Sequence, residues 1–276
     1  MTPRLRHGIA CTVVLTILYA LSPPAGAQDK EYAIKVMPPG GPAPRLADGH
    51  PDLSGHWLPN SAGTGLGGRF GVDPAAAAQF DPKVTPEEPP ALQPWASAKI
   101  KSMTATEIEL AKPSVNCLPR GVASIWLQNP YSTLIVHTPT TMVQLYEVLN
   151  NWRVVHLDGR PLPKNPEPFF YGNSSARWEG DTLVVESTGY DERTSMMPEV
   201  LFHSDELRVT ERYTRPSMNY LIVEITINDP KVLTKPWRSA PRRWTLGDGE
   251  VYEFFCTNNR ELEELQKLRQ QELERK

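Results

Sequence analysis

The stretch that decides the fold is Ser175-Ala176-Arg177-Trp178-Glu179-Gly180-Asp181-Thr182-Leu183-Val184-Val185-Glu186. It reads as two strands flanking Glu179-Gly180-Asp181, residues that accept the positive φ of a tight hairpin turn. Turn signals of the same kind recur on both sides, at Asn150-Asn151, Ser217-Met218-Asn219 and Leu246-Gly247-Asp248-Gly249. Between them lie runs rich in β-branched and aromatic residues: Ser132–His137, Met142–Leu149, Trp152–Leu157, Ala176–Trp178, Thr182–Ser187, Glu206–Tyr213, Tyr220–Ile227 and Glu250–Cys256. No helix interrupts them. The expected fold is all-β, an antiparallel meander closing into a barrel, because closure removes the exposed edges of a long open sheet. A β-sandwich is the second solution.

Outside this body the chain changes character. Arg4 and Arg6, the apolar run Gly8 to Leu21 and the small residues Ala25-Gly26-Ala27 predict a secretory signal peptide over 1–27. The apolar run falls short of the about 20 residues a bilayer requires, so a periplasmic or secreted protein with no integral membrane segment is expected. Residues 28–113 are punctuated by Pro38-Pro39-Gly40-Gly41-Pro42 and Pro89-Pro90 and predict an extended arm around the barrel. Short helices are expected within it over Pro94–Met103 and Thr104–Leu110. Pro51-Asp52-Leu53-Ser54-Gly55-His56-Trp57 reads as a turn feeding an aromatic anchor onto the barrel. The barrel domain is expected over 114–257. Residues 258–276 predict a charged helix with a thin stripe of Leu262, Leu265, Leu268 and Leu273.

The 29 Lys and Arg against 32 Asp and Glu leave no electrostatic footprint for nucleic acid. Of three cysteines, Cys11 lies in the signal segment, leaving Cys117 and Cys256. Two thiols in an oxidising compartment are expected to pair. Neither cysteine has a CxxC spacing or a paired histidine beside it, and no cofactor motif stands out. No metal site and no cofactor are expected.

Several motifs together resemble a large group of exported bacterial proteins that carry no assigned activity. They are Pro51-Asp52-Leu53-Ser54-Gly55, Asn116-Cys117-Leu118-Pro119-Arg120-Gly121, Asp158-Gly159-Arg160, Gly172-Asn173-Ser174, Arg177 to Val185, Glu211-Arg212-Tyr213 and Ile227-Asn228-Asp229-Pro230. The resemblance spans Pro51 to Asn259 and implies a secreted β-rich protein, with no catalytic residues to transfer. This chain departs from the pattern at Asn173 and Thr257, where histidines are common. A weaker likeness to lipocalin-like barrels rests on the meander alone.

Chemistry is sought among inward polar residues. Glu211 shares its strand face with Leu207, Val209 and Tyr213, and Glu147 shares one with Val143, Leu145 and Leu149. Both carboxylates are therefore expected to point inward, either as general bases with raised pKa or held by an inward arginine such as Arg153, Arg160, Arg177 or Arg212; the alternative is that each faces solvent or pairs with a cross-strand Arg or Lys. His156 is the expected partner, which would suit a cofactor-independent lyase or isomerase. Ser174 lacks the GxSxG context of a nucleophile turn. The aromatics Trp126, Tyr146, Trp152, Phe170, Trp178 and Tyr213 either fill the core or line a pocket, and the expected function is binding of a small hydrophobic or aromatic molecule inside the barrel. Pro161 to Tyr171, Pro-rich and ending in three aromatics, is a lid candidate. An envelope interaction module using the outer sheet face is a further alternative.

Overall fold

The computed structural model describes residues 38–59, 88–128, 131–198, 200–256 and 259–275. The expected signal peptide and Thr257 lie outside these residues.

The strands are β1 (Gly55–Pro59), β2 (Thr133–His137), β3 (Thr141–Tyr146), β4 (Asn151–His156), β5 (Asn173–Glu179), β6 (Thr182–Thr188), β7 (Arg208–Ser217), β8 (Tyr220–Asn228), β9 (Trp237–Arg238) and β10 (Arg242–Leu246). They form one 10-stranded antiparallel sheet in the order β4-β3-β2-β1-β10-β8-β7-β6-β5, with β9 beside β8. The sheet curls into a nearly closed barrel. Its terminal strands β4 and β5 meet at a seam without a backbone ladder, bridged by Arg153 of β4. That guanidinium donates to Ser174 Oγ of β5 from Nε at 3.1 Å and from Nη2 at 2.7 Å.

The meander holds within each half, β2-β3-β4 and β5-β6-β7-β8, and β1 and β10 join the halves. At the β5–β6 turn Glu179 pairs with Thr182, leaving Gly180 and Asp181 as the loop. Gly180 takes φ of +61° there, a value that costs a residue bearing a Cβ. The β3–β4 connection is wider than the expected turn at Asn150-Asn151, because Tyr146 pairs with Asn151.

Two strand expectations are corrected. The expected anchor around Trp57 is itself a strand, β1, inserted between β2 and β10. Glu250–Cys256, expected to pair across Leu246-Gly247-Asp248-Gly249, forms no strand. Both edges of β10 are already taken by β1 and β8, so the returning chain finds no free ladder. It runs over the surface instead, with Tyr252 and Phe255 about 70% exposed, and ends at the Cys117–Cys256 disulfide.

The helices are α1 (Pro94–Ser102), α2 (Ala105–Ala111), α3 (Val122–Gln128) and α4 (Asn259–Glu274). Thr104 and Glu107 close a reciprocal capping box on α2. Thr104 and Thr106 hydroxyls donate to Glu272, docking α4 on α2. The sequence reading contained no counterpart of α3, which carries Ile125 and Trp126 into the core. Trp126 stands edge-on to Tyr213 and to Trp244, at ring-centroid distances of 5.4 Å and 4.9 Å. With Trp57 and Tyr146, these rings fill the barrel. Among the described residues no helix is long and apolar enough to cross a membrane.

Candidate functional site

β7 alternates as its sequence demands: Val209, Glu211, Tyr213 and Arg215 are buried and the residues between them are more exposed. Glu211 is therefore inward and 0% exposed. Its Oε2 receives Arg153 Nη1 at 2.7 Å. Its Oε1 receives Trp126 Nε1 at 3.0 Å and the Tyr213 hydroxyl. The network continues outward: Gln144 Nε2 donates to Tyr213 Oη at 3.0 Å, and the Tyr146 hydroxyl donates to Gln144 Oε1 at 2.6 Å. Arg153 Nη2 also donates to Ser187 Oγ at 2.6 Å. Burial is the largest influence on the Arg153 charge and works against it, but Glu211 together with the phenols of Tyr146, Tyr213 and Tyr190 outweighs burial and holds the guanidinium pKa above its ordinary value. Burial likewise pushes the Tyr146 and Tyr213 phenols well above the usual tyrosine range, so both stay protonated donors. With Ser174, five strands and one helix thus contribute to a satisfied polar core.

Glu147 behaves differently from the expectation. The inward face of β3 is Met142, Gln144 and Tyr146, not Val143 and Leu145. Polarity misleads here because the network itself draws Gln144 inward. Glu147 lies beyond the strand end, where its Oε2 accepts from Ser132 N at 3.1 Å and Ser132 Oγ at 2.6 Å. It ties off the β2–β3 end.

On the outer side of the seam lies a cleft of about 690 Å³. The outward face of β4 supplies Trp152, Val154 and His156; the seam supplies Arg153 and Ser174; the 161–171 loop supplies Pro161, Pro163, Phe169, Phe170 and Tyr171. Trp152 is 64% exposed and Phe169 55%, values high for such large apolar side chains. The loop is anchored at its base. Asn173 Nδ2 donates to Glu167 O at 2.7 Å, and Phe169 O accepts from Gly172 N and Asp191 N at 3.0 Å each. The Arg193 guanidinium caps the Phe170 ring at 4.9 Å.

The candidate residues therefore separate into four groups. Trp126, Tyr146, Tyr213 and Glu211 lie in the packed barrel interior. Trp152, Phe170 and His156 meet at the cleft. Trp178 lies elsewhere, stacked parallel on His50 at 4.4 Å. Glu147 is at the hairpin end, so the structure does not bring Glu147, Glu211 and His156 together. Cys117 and Cys256 form the disulfide, with Cα atoms 5.6 Å apart. Among the described residues no three His, Cys, Asp or Glu side chains gather to hold a metal ion.

Tyr171 was legible as the end of the lid loop, whereas Thr194, Ser195 and Arg120, which do not line the cleft, were not. Tyr171 is buried with a hydroxyl that has no hydrogen-bond partner. Thr194 and Ser195, also buried with unpartnered hydroxyls, pack near Gly121. Arg120, between Gly121 and the cleft-lining Pro119, is half-buried. Burial lowers its pKa below the ordinary guanidinium value, opposed only by the phenols of Tyr131 and Tyr171. A sequence signal for Arg120 does exist, namely a lone cation in the apolar turn Cys117-Leu118-Pro119-Arg120-Gly121. Comparison with protein-family models, with curated proteins and with solved structures finds no match to this chain.

Proposed function

We propose that this is an exported protein that binds a small, mainly hydrophobic or aromatic molecule, and that the molecule sits in the seam cleft outside the packed barrel interior. One observation carries the reading: Trp152 and Phe169 expose large apolar surfaces into the same cleft, over a polar floor of Arg153 and Ser174. Pockets that combine apolar walls with a few oriented polar groups are the usual small-molecule sites. The barrel interior, where the ligand was expected, is instead occupied by Trp57, Trp126, Tyr146, Tyr213 and Trp244. Catalysis by an inward glutamate finds less support. Both Glu211 oxygens are engaged by protein donors, and Glu211 does not line the cleft. Of the proposed acid–base set only His156 reaches the cleft.

The test uses calorimetric titration of the mature protein with 2-naphthamide, a neutral aromatic probe. Binding is expected, and Trp152→Ala is expected to weaken it at least about tenfold, close to 1.4 kcal/mol. Because Trp152 is largely exposed, the same variant should keep its folding stability within about 0.5 kcal/mol. Unchanged affinity in a folded Trp152→Ala protein would rule the cleft out as the binding site.

A further inference from the structure

We infer that the molecule bound in the seam cleft is an uncharged aromatic carbonyl compound, a ketone, aldehyde or ester whose oxygen receives the Ser174 hydroxyl. The inference rests on the cleft-binding reading and adds the functional group that the cleft recognises.

Ser174 lines the cleft, and its surroundings leave its hydroxyl as a donor. Arg153 reaches the Ser174 Oγ with two N–H groups, from Nε at 3.1 Å and from Nη2 at 2.7 Å. A hydroxyl oxygen has two lone pairs, so this fork fills its acceptor capacity and only the O–H remains to be used. Among the described residues that proton has one acceptor within reach, the Ser187 Oγ at 3.2 Å. The distance is long against the usual O–H···O separation of about 2.7–2.8 Å. Ser187 Oγ also accepts already, from Arg153 Nη2 at 2.6 Å. A carbonyl oxygen seated in the cleft is therefore the better acceptor. The guanidinium behind Ser174 is 4% exposed and pinned to Glu211 at 2.7 Å, so the donor is both fixed in place and polarised.

The charges of the lining set the class of acceptor. No aspartate or glutamate lines the cleft, and each of its two arginines is already paired. Arg153 holds the buried Glu211, and Arg160 folds back on Asp158 with Nη2 to Oδ2 at 2.6 Å. Neither has an uncompensated charge to offer, so a ligand carboxylate would give up its hydration without gaining a free counter-ion. A neutral carbonyl accepts the same hydrogen bond and loses far less on leaving water. Trp152 and Phe169, exposed into the same cleft, then cover the aromatic end of the molecule.

The experiment compares three probes that share one ring system. 2-Acetonaphthone carries the carbonyl, 2-isopropenylnaphthalene replaces that oxygen with a CH2 group of similar shape, and 2-naphthoate carries a charge. Each is titrated calorimetrically into the mature wild type and Ser174→Ala at pH 8, above the ordinary titration range of imidazole. Wild type is expected to bind the ketone at least about fivefold tighter than the alkene, the worth of one neutral hydrogen bond. Ser174→Ala should bring that ratio close to one through weaker ketone binding, with alkene affinity unchanged. 2-Naphthoate should bind no tighter than the ketone. Equal affinities for ketone and alkene in wild type, or an intact ketone preference in folded Ser174→Ala, overturn the carbonyl assignment and leave cleft binding standing. Tighter binding of 2-naphthoate overturns the uncharged class. Failure of all three probes to bind overturns both this inference and the cleft reading. Thermal unfolding of Ser174→Ala checks that it folds. If it does not, Ser174→Cys decides, because a thiol keeps the size of the side chain but is a weak donor: a several-fold loss of ketone preference is expected, and an intact preference overturns the assignment.

Discussion

Glu211 shows how one residue can be legible in position and opaque in role. Its face on β7 follows from alternation with Val209 and Tyr213, but the sequence left its partner open among Arg153, Arg160, Arg177 and Arg212, and packing selects Arg153. That Trp126 and Gln144 complete the network depends on α3 and β3, which only packing brings alongside. Glu211→Gln leaves Arg153 buried without its counter-charge, so a loss of about 3–5 kcal/mol in urea denaturation is expected. Adding Arg153→Met should recover most of it; a fully stable single variant would contradict the network. A second residue sets a pH dependence. His137 is buried in β2, and its Nδ1 accepts from Leu53 N at 3.1 Å, which only an unprotonated nitrogen can do. Burial lowers its pKa below the ordinary 6.5, against the opposing pull of Asp52. His56, half-buried, is shifted in the same direction by the same cause. The unfolded chain therefore takes up protons near pH 6.5, while the folded protein does so only at lower pH. Stability is complete above that value and falls as the pH drops through it. Thermal midpoints from about pH 7.5 to about pH 5 should decline, less steeply in His137→Gln; a flat wild-type profile would refute the linkage.

Elements were legible where a strand alternates and its turn residues are unambiguous. β5, β6, β7 and β8 carry both signals, and each appears close to its expected range. β1 and β10 do not: Gly55–Pro59 ends in proline, and Arg242–Leu246 opens with two arginines. Both are strands because each fits between two others, a condition that local propensity does not encode. Glu250–Cys256 is the converse, β-rich in composition yet left without an edge to join. Trp57 tests how far β1 belongs to the core. Its ring is fully buried, its Nε1 donates to Leu53 O at 3.0 Å, and Arg215 lies over it at 4.9 Å. Trp57→Ala should cost about 3–5 kcal/mol in equilibrium denaturation. A loss below about 1 kcal/mol would mean that β1 is an appendage and not part of the barrel.

At the scale of the whole molecule, two constraints hold the C-terminal segment to the rest of the fold. α4 docks on α2 through Glu272, and Cys117–Cys256 joins positions 139 residues apart in sequence. A loop of that length predicts roughly 5 kcal/mol of stabilisation in the chain-entropy description. Replacing both cysteines with alanine should lower the denaturation midpoint accordingly, and an unchanged midpoint would show that tail packing alone suffices. The disulfide also steadies the segment leading to the cleft-lining Pro119, so the same variant should weaken 2-naphthamide binding. By itself, the sequence determined the all-β class, the antiparallel hairpins, the cysteine pair and the inward Glu211. Each of these is local in origin: an alternation of two, a turn residue, a count of thiols. The tertiary structure decided the strand order through β1 and β10, the filling of the interior by α3, and the cleft where β4 and β5 meet without a ladder. Those depend on which edges remain free once the other strands have paired, and edge availability is a property of the assembled sheet that no single segment carries.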